Sequence, residues 1–151
     1  MRIVRTGRKY GVGVLVGNSI FAETNNMNQT TLLLTLFFCH FLADYTHLST
    51  AWMLNAKRLG KPFFPILIHA SVHGLLMFVV LSFWGVPLWL KITLTTFQVV
   101  SHSIIDLIKG RANGWFPVIQ SPSNKWHWIV FGFDQFLHAV VIITMVHLAV
   151  K

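Results

Sequence analysis

The chain has 151 residues, of which 54% are hydrophobic and only 11% are charged. A water-soluble domain carries about 25% charged residues, so this composition argues against an ordinary soluble globule and predicts residence in a membrane. The single cysteine, Cys39, excludes a disulfide within this sequence and a cysteine-based zinc finger. Much of the net charge of +8 flanks apolar segments, so we expect no nucleic-acid partner.

Four apolar segments follow one another along the chain, and each is long enough to cross a bilayer as a helix. They cover roughly residues 30–54, 65–84, 86–109 and 128–150. The alternation of apolar and polar residues that is typical of barrel strands does not occur in them. The sequence therefore predicts an all-α polytopic membrane protein, an up-down bundle of four transmembrane helices.

The first 27 residues differ from the rest of the chain. Four basic residues among the first nine precede a glycine-rich apolar stretch, "GVGVLVGNSIFA". This order is similar to a signal peptide, but the cleavage site is poor. Residues 1–27 are therefore predicted to be an N-terminal extension that is either disordered or not native, with Met27 as an alternative start. Residues 28–151 are predicted to form the transmembrane domain.

The connections between the apolar segments differ in charge. The second connection, around residues 85–87, carries none, whereas the first and third are basic. Because cytoplasmic connections are enriched in Lys and Arg, the first and third are predicted to face the cytoplasm of a multi-pass inner-membrane protein. Their basic residues are Lys57, Arg58, Lys61, Lys109, Arg111 and Lys125.

Each apolar segment carries one polar pair with the same spacing. Three of the four acidic residues lie in these segments, where an ionisable group costs about 2.5–3.5 kcal/mol to insert. Residues four apart share one face of a helix, and antiparallel helices would bring all the pairs into one half of the bilayer. The pairs are His40 with Asp44, His69 with His73, His102 with Asp106, and Asp134 with His138.

Imidazoles and carboxylates at a common depth predict a metal site. This donor set suits a divalent ion, with zinc favoured and manganese or iron as alternatives. Eight groups exceed the needs of one tetrahedral ion, so either one ion with supporting carboxylates or two ions would fit. The predicted metal ligands are His40, Asp44, His69, His73, His102, Asp106, Asp134 and His138, and the candidate catalytic residues are Asp44, Asp106 and Lys109.

Each of these residues also has a structural interpretation. A single Asp–His pair is more simply a hydrogen-bonded contact between helices, and only four pairs at one depth favour metal or proton chemistry. Lys109 either snorkels to the membrane edge or contacts an anionic substrate or Asp106. Gln135 is predicted to support Asp134. The residues interpreted as core, interfacial or packing positions are Cys39, His47, His127 and His147.

Five motifs occur in an order that resembles the bacterial and phage membrane family called domain of unknown function 3307. They are "HFLADY", "AWMLNAK", "HASVHGLL", "SHSIIDLIKGR" and "DQFLHAVVI", and the resemblance covers roughly residues 32–145. It implies that His102, Asp106 and Lys109 act as one motif, and it supplies no reaction. The other residues on family positions are His40, Ala43, Asp44, Trp52, Met53, Lys57, His69, His73, Asp134, Gln135 and His138.

Three functions remain open from the sequence. The preferred one is a metal-dependent hydrolase acting on a lipid or lipid-linked substrate, with Lys57, Arg58 and Lys109 near an anionic head group. The second is a transporter of metal ions or protons, which the mostly apolar opposite half of the segments disfavours. The third is a non-catalytic accessory protein whose polar core fixes its assembly. Membrane lipids are the expected partners, and a homo-oligomer stays open.

Overall fold

The computed structural model describes residues 12–150, with side chains from residue 28 onward, and the prediction of an all-α protein is confirmed there. Within these residues there are five α-helices and no strands. The helices are α1 (Val12–Tyr45), α2 (Ala51–Leu59), α3 (Phe63–Phe83), α4 (Leu88–Trp115) and α5 (Lys125–Ala149), with a short 3-10 helix at Pro117–Gln120.

The predicted boundary between extension and domain, after residue 27, falls inside α1. Residues 1–11 lie outside the described residues. A separate N-terminal extension therefore stays a prediction.

The first apolar segment is two helices, and the prediction of one continuous helix over residues 30–54 is wrong. α1 ends at Tyr45 and α2 begins at Ala51. Hydroxyl side chains explain the break because they compete with the backbone for hydrogen bonds. The Thr46 hydroxyl donates to the Leu42 carbonyl, and the Thr50 side chain accepts from the Met53 amide at 3.4 Å as the N-cap of α2.

The end of α2 rests directly on the backbone of α4. Gly60 caps α2 with φ of +63°, a left-handed conformation that glycine adopts without strain. A Cβ atom on Gly110 of α4 would lie 2.2 Å from the Gly60 nitrogen, a distance that no real contact allows. Two glycines therefore permit a backbone contact that anchors the short α2 beside α4.

α4 extends further than the sequence predicted. It continues through Trp115, whereas the third apolar segment was predicted to end at about residue 109. The 3-10 helix then starts at Pro117, where proline is tolerated because its missing N–H falls in the first turn. The motif "SHSIIDLIKG" consequently lies well inside α4, away from its end.

The interior is divided into an apolar half and a polar half. α1 and α4 each contact both α3 and α5, while α2 contacts α3 and α4. The apolar half comes from the early part of α1 and α4 and the late part of α3 and α5. Its fully buried members are Leu32, Leu36, Met77, Leu81, Ile142 and Met145, with Leu94 1% exposed.

Two of the described helices, α3 and α5, are long and apolar enough to cross a membrane by length and composition. Large apolar side chains also cover the outside of the other long helices: Phe38 on α1 is 59% exposed and Trp89 on α4 is 69% exposed. Both features favour association with a membrane.

Candidate metal centre

The structure brings the four predicted pairs together in the polar half of the interior. α1 supplies His40 and Asp44, α3 supplies His69 and His73, α4 supplies His102 and Asp106, and α5 supplies Asp134 and His138. All except Asp44 are buried by whole-residue exposure, and 5% of the Asp44 side chain is exposed. The four-residue spacing points each pair inward, and the antiparallel order of the helices puts the pairs at one level.

The imidazole rings contact one another across the helices. Ring centroids are 3.9 Å apart for His73 and His102, 4.2 Å for His102 and His138, and 4.7 Å for His40 and His73. A single layer of rings therefore links all four long helices.

Two sets of donor atoms have the spacing of a metal site. Asp44, His69, His73 and His102 each offer one atom, and these atoms lie within 4.8 Å of one another. A second set of the same spacing consists of His102, Asp106 and His138. Because His102 belongs to both sets, the cluster could hold one ion in either set or two neighbouring ions.

Many of these donor atoms are buried without a hydrogen-bond partner in the described part of the chain. They include both ring nitrogens of His40, His73 and His138, Nε2 of His102, and both carboxylate oxygens of Asp106. Buried polar atoms are nearly always partnered, so a concentration of unpartnered nitrogens and oxygens indicates a missing ligand. Imidazole nitrogen and carboxylate oxygen fit a divalent metal ion.

A serine fixes the orientation and tautomer of His69. The Ser49 hydroxyl lies 2.6 Å from the Ala43 carbonyl and 3.1 Å from Nδ1 of His69. A hydroxyl has one proton, which it donates to the carbonyl, so it must accept its second bond from Nδ1–H. Nδ1 is thereby occupied by Ser49, and the other ring nitrogen, Nε2, faces the cluster at 3.0 Å from Oδ1 of Asp44.

Gln98 has the corresponding position behind His102. It is 1% exposed on α4, and its amide nitrogen lies 3.4 Å from Nδ1 of His102. The amide oxygen has no partner among the described residues. A 180° rotation of the amide would let this oxygen accept from Nδ1–H and leave Nε2 of His102 as a donor to metal.

Lys57 inserts its ammonium group into the cluster. Its Nζ lies 2.8 Å from Oδ1 of Asp44, 3.3 Å from Oδ1 of Asp106 and 3.3 Å from Nε2 of His69. Burial opposes the charged form of Lys57, but the Asp106 and Asp44 carboxylates outweigh it and raise the pKa of Lys57 above its ordinary value. The ammonium therefore remains charged among groups that would also bind a metal ion.

Lys109 binds a different carboxylate from the one the sequence suggested. Its Nζ lies 2.6 Å from Oδ2 of Asp134, and it also lies 5.0 Å from the centre of the Phe131 ring. Lys57, and not Lys109, is the cation beside Asp106. Gln135 donates to Oδ2 of Asp134 at 3.0 Å, as its predicted supporting role requires.

Sequence reasoning missed three contributors to the site. Ser49 and Gln98 support histidines from behind, and Lys57, expected near a head group, reaches the carboxylates themselves. Gln98 carries a signal that was available in the sequence, because it precedes His102 by four residues in an apolar segment. Cys39 lies in the apolar core as predicted, and His47, His127 and His147 belong to neither donor set.

Comparisons with known proteins identify a family but do not indicate an activity. No curated protein and no solved structure matches the chain. The sequence pattern of one family, described as "Protein of unknown function (DUF3307)", matches residues 32–151. That range contains α2 to α5 and the part of α1 that carries His40 and Asp44. The chain belongs to the DUF3307 family, and the cluster of histidines and aspartates lies within the region that defines it.

Proposed function

We propose that this protein is a multi-pass inner-membrane metalloprotein whose buried cluster binds one or two divalent ions, with zinc favoured. The observation that carries this proposal is the set of unpartnered donor atoms on His40, His73, His102, Asp106 and His138, which converge from four helices. The Asp–His contacts of these atoms and the Lys57–Asp106 contact are 3.3–3.7 Å long, and none is a hydrogen bond in the described part of the chain. A metal ion is a ligand that suits these atoms chemically.

The charge of the cluster also favours a divalent ion. The carboxylates of Asp44, Asp106 and Asp134 carry three negative charges, and the ammonium groups of Lys57 and Lys109 carry two positive charges. The sum over these five groups is one negative charge. Burial of uncompensated charge is costly, so an additional cation is favoured over an additional anion in this interior.

We further propose a metal-dependent hydrolase that acts on a lipid or lipid-linked substrate. A bound metal ion would supply Lewis-acid polarisation of the scissile group. Asp134 is outside both donor sets, and its Oδ1 lacks a hydrogen-bond partner in the described chain. It is therefore the carboxylate that remains to take a proton from water, while Asp44 and Asp106 are committed to the donor sets.

The membrane part of the proposal extends the two candidate spans to four. α1 and α4 lie between α3 and α5 and expose large apolar side chains, such as Leu34 on α1 and Ile108 on α4, at 64% and 62%. Such side chains favour contact with lipid. Basic residues near the polar half favour a position of the cluster in the cytoplasmic leaflet, where a lipid head group can approach.

Transport is the second candidate, and one observation favours it. Buried Gln98 and the unpartnered Thr95 hydroxyl extend the polar stripe of α4 beyond His102. The stripe ends at the apolar half, where Leu36, Met77 and Ile142 are fully buried. A hydrated path would have to cross this layer, so the interior favours a site that is open to one side.

Metal content of the purified protein tests the proposal. After purification under metal-replete conditions, we expect elemental mass spectrometry to detect a stoichiometric amount of metal in the unmodified protein. His73→Ala and Asp106→Asn should each lose most of it, because each removes a donor from one of the two sets. His147→Ala is the matched control because that histidine is exposed on α5.

Wild-type protein that folds but retains no metal would overturn the proposal. Loss of metal from His147→Ala as severe as from His73→Ala would also count against this site.

A further inference from the structure

A cavity with three cationic side chains in its lining opens beside the cluster, between α2, α4, the 3-10 helix and α5. Its volume is about 250 Å³. Leu54, Ile119 and Phe131 form part of its apolar wall, and no carboxylate lines it. Its polar lining consists of Lys57, Arg58, Lys109, Asn113, Gln120 and His127. Three cations line the cavity, of which Lys57 and Lys109 also pair with carboxylates behind its wall. The absence of a carboxylate from the lining itself favours an anion there.

Hydrogen bonds hold the wall of the cavity in place. Asn113 Nδ2 donates to the Arg58 carbonyl at 3.1 Å, which ties α4 to α2. Gln120 Nε2 donates to the Asn113 carbonyl at 2.8 Å, and His127 Nδ1 donates to the Ile119 carbonyl at 2.9 Å. Every element around the cavity is thereby bonded to its neighbour. A ligand would enter a preformed site and not one that must be ordered first.

Lys57 belongs to this cavity and to the metal cluster at once. Its side chain lines the cavity, while its Nζ contacts Asp44 and His69, two of the four members of the first donor set. An ammonium group and a metal ion require the same carboxylate oxygen and imidazole lone pair. The two cations therefore compete, and a metal ion that takes these donors must release Lys57.

We propose that metal binding displaces the Lys57 ammonium into the cavity, where Lys57, Arg58 and Lys109 together bind the phosphate group of a lipid. This proposal rests on the proposed metal function. One divalent ion in place of the Lys57 ammonium changes the sum of the cluster from one negative charge to zero, and the released ammonium adds one positive charge to the cavity. An anion in the adjacent cavity restores the balance and gives the released ammonium a partner. Metal and phosphate thus bind with positive coupling.

A second cavity favours a lipid as the source of the phosphate. It has a volume of about 320 Å³, lies between α4 and α5, and shares Lys109 and Val130 with the first cavity. Apart from Asp134, the partner of Lys109, its other lining is apolar, including Ile108, Ile129 and Phe133. An alkyl chain in this groove would place its phosphate beside Lys109. The ligand class that fits both cavities is a phosphate monoester on a lipid chain.

Metal titration in the presence and absence of phosphate tests this proposal. Co²⁺ can be titrated into the full-length protein and followed by its visible absorption, with glycerol phosphate as the soluble monoester and glycerol as its control. We expect glycerol phosphate to tighten Co²⁺ binding by about tenfold, within the usual range of coupling between sites. In nanodiscs, we expect Co²⁺ to bind more tightly with phosphatidic acid than with phosphatidylcholine. This difference should exceed the effect of glycerol phosphate.

Three variants separate displacement of Lys57 from simple charge effects. Lys57→Gln should tighten Co²⁺ binding without phosphate by about tenfold, because the competing ammonium is gone, and should lose most of the phosphate effect. Arg58→Gln should reduce the phosphate effect, and its exposed side chain makes a folding defect avoidable. Lys61→Gln removes the same charge from an exposed position nearby and should behave as wild type.

Each outcome bears on one of the two proposals. Weaker Co²⁺ binding by folded Lys57→Gln, or a full phosphate effect in both Lys57→Gln and Arg58→Gln, would overturn the displacement. If the Co²⁺ affinity is equal in phosphatidic acid and phosphatidylcholine while glycerol phosphate still tightens binding, the ligand is a free phosphate. The proposal of a lipid ligand is then overturned. No Co²⁺ binding by any form would overturn the metal function itself.

Discussion

At the scale of single residues, the site depends on side chains that hold its ligands from behind. Ser49 receives a hydrogen bond from Nδ1 of His69 and passes its own proton to the Ala43 carbonyl. This chain of bonds engages Nδ1 of His69 and leaves Nε2 facing the cluster, 3.0 Å from Oδ1 of Asp44. Partners of this kind orient a ligand and set its tautomer, and their loss typically weakens metal binding 10–100-fold.

Ser49→Ala should therefore weaken zinc binding by about tenfold or more while the fold is retained. The physical reason is that His69 loses the acceptor that selects its Nδ1–H tautomer. Competition with a coloured chelator measures the affinity. Ser71→Ala is the matched control on α3, since that exposed hydroxyl donates only to the Leu67 carbonyl of its own helix. Equal zinc affinity in the two variants would rule out the supporting role of Ser49.

At the scale of secondary-structure elements, α2 is the part of the fold that delivers Lys57. It has nine residues and is bounded by the Thr50 cap and the left-handed Gly60. A helix this short is unstable alone, so its position depends on the packing of its end against α4. The Gly60–Gly110 contact sets the distance between α2 and α4 and so the reach of Lys57 to Asp106.

Gly110→Ala should force α2 away from α4, because the new Cβ would meet backbone atoms of Gly60 and Lys57 at 2.2–2.5 Å. We expect a loss of stability of about 1–3 kcal/mol, the usual cost of overpacking, together with weaker Lys57 contacts. Thermal unfolding in detergent measures the first effect.

Gly114→Ala on the same helix is the control for this substitution. A Cβ there meets nothing within 4 Å, so the change should leave stability the same or raise it by up to about 1 kcal/mol through helix propensity. If Gly110→Ala is as stable as Gly114→Ala, the close contact between α2 and α4 does not exist in solution.

At the scale of the whole molecule, the interior separates an apolar half from a half that contains the cluster and the basic connections. The α2–α3 connection carries exposed Lys61 at the polar end, and the α3–α4 connection around Pro87 lies at the other end of α3. If α3 spans the membrane, as its length and composition allow, these connections face opposite sides. The charge difference predicts that the Lys61 side is cytoplasmic.

Labelling of introduced cysteines tests this orientation. In a Cys39→Ala background, Lys61→Cys should react with a membrane-impermeant maleimide only in inside-out vesicles. Pro87→Cys should react in intact spheroplasts, because its connection lies outside. Both side chains are exposed, so access is not limited by burial. Labelling of both positions from one side would mean that α3 does not cross the bilayer.

Much of the candidate site could be predicted from the sequence because it obeys helical periodicity. The four polar pairs are each four residues apart, and antiparallel order alone brings them to a common depth. Periodicity does not report where a helix breaks. The predicted first helix was wrong at Thr46–Thr50, because hydroxyl groups there satisfied backbone partners that a helix would have used.

The helical class, the apolar segments and the inward-facing pairs can be predicted from the sequence, since each depends on residue type and spacing along one helix. The partners of the two lysines follow from tertiary contacts. Lys57 approaches Asp44 and Asp106 because α2 folds back onto α4. Lys109 approaches Asp134 because α5 packs beside α4. Contacts between distant segments depend on backbone approach, here at Gly60 and Gly110, which no local pattern encodes.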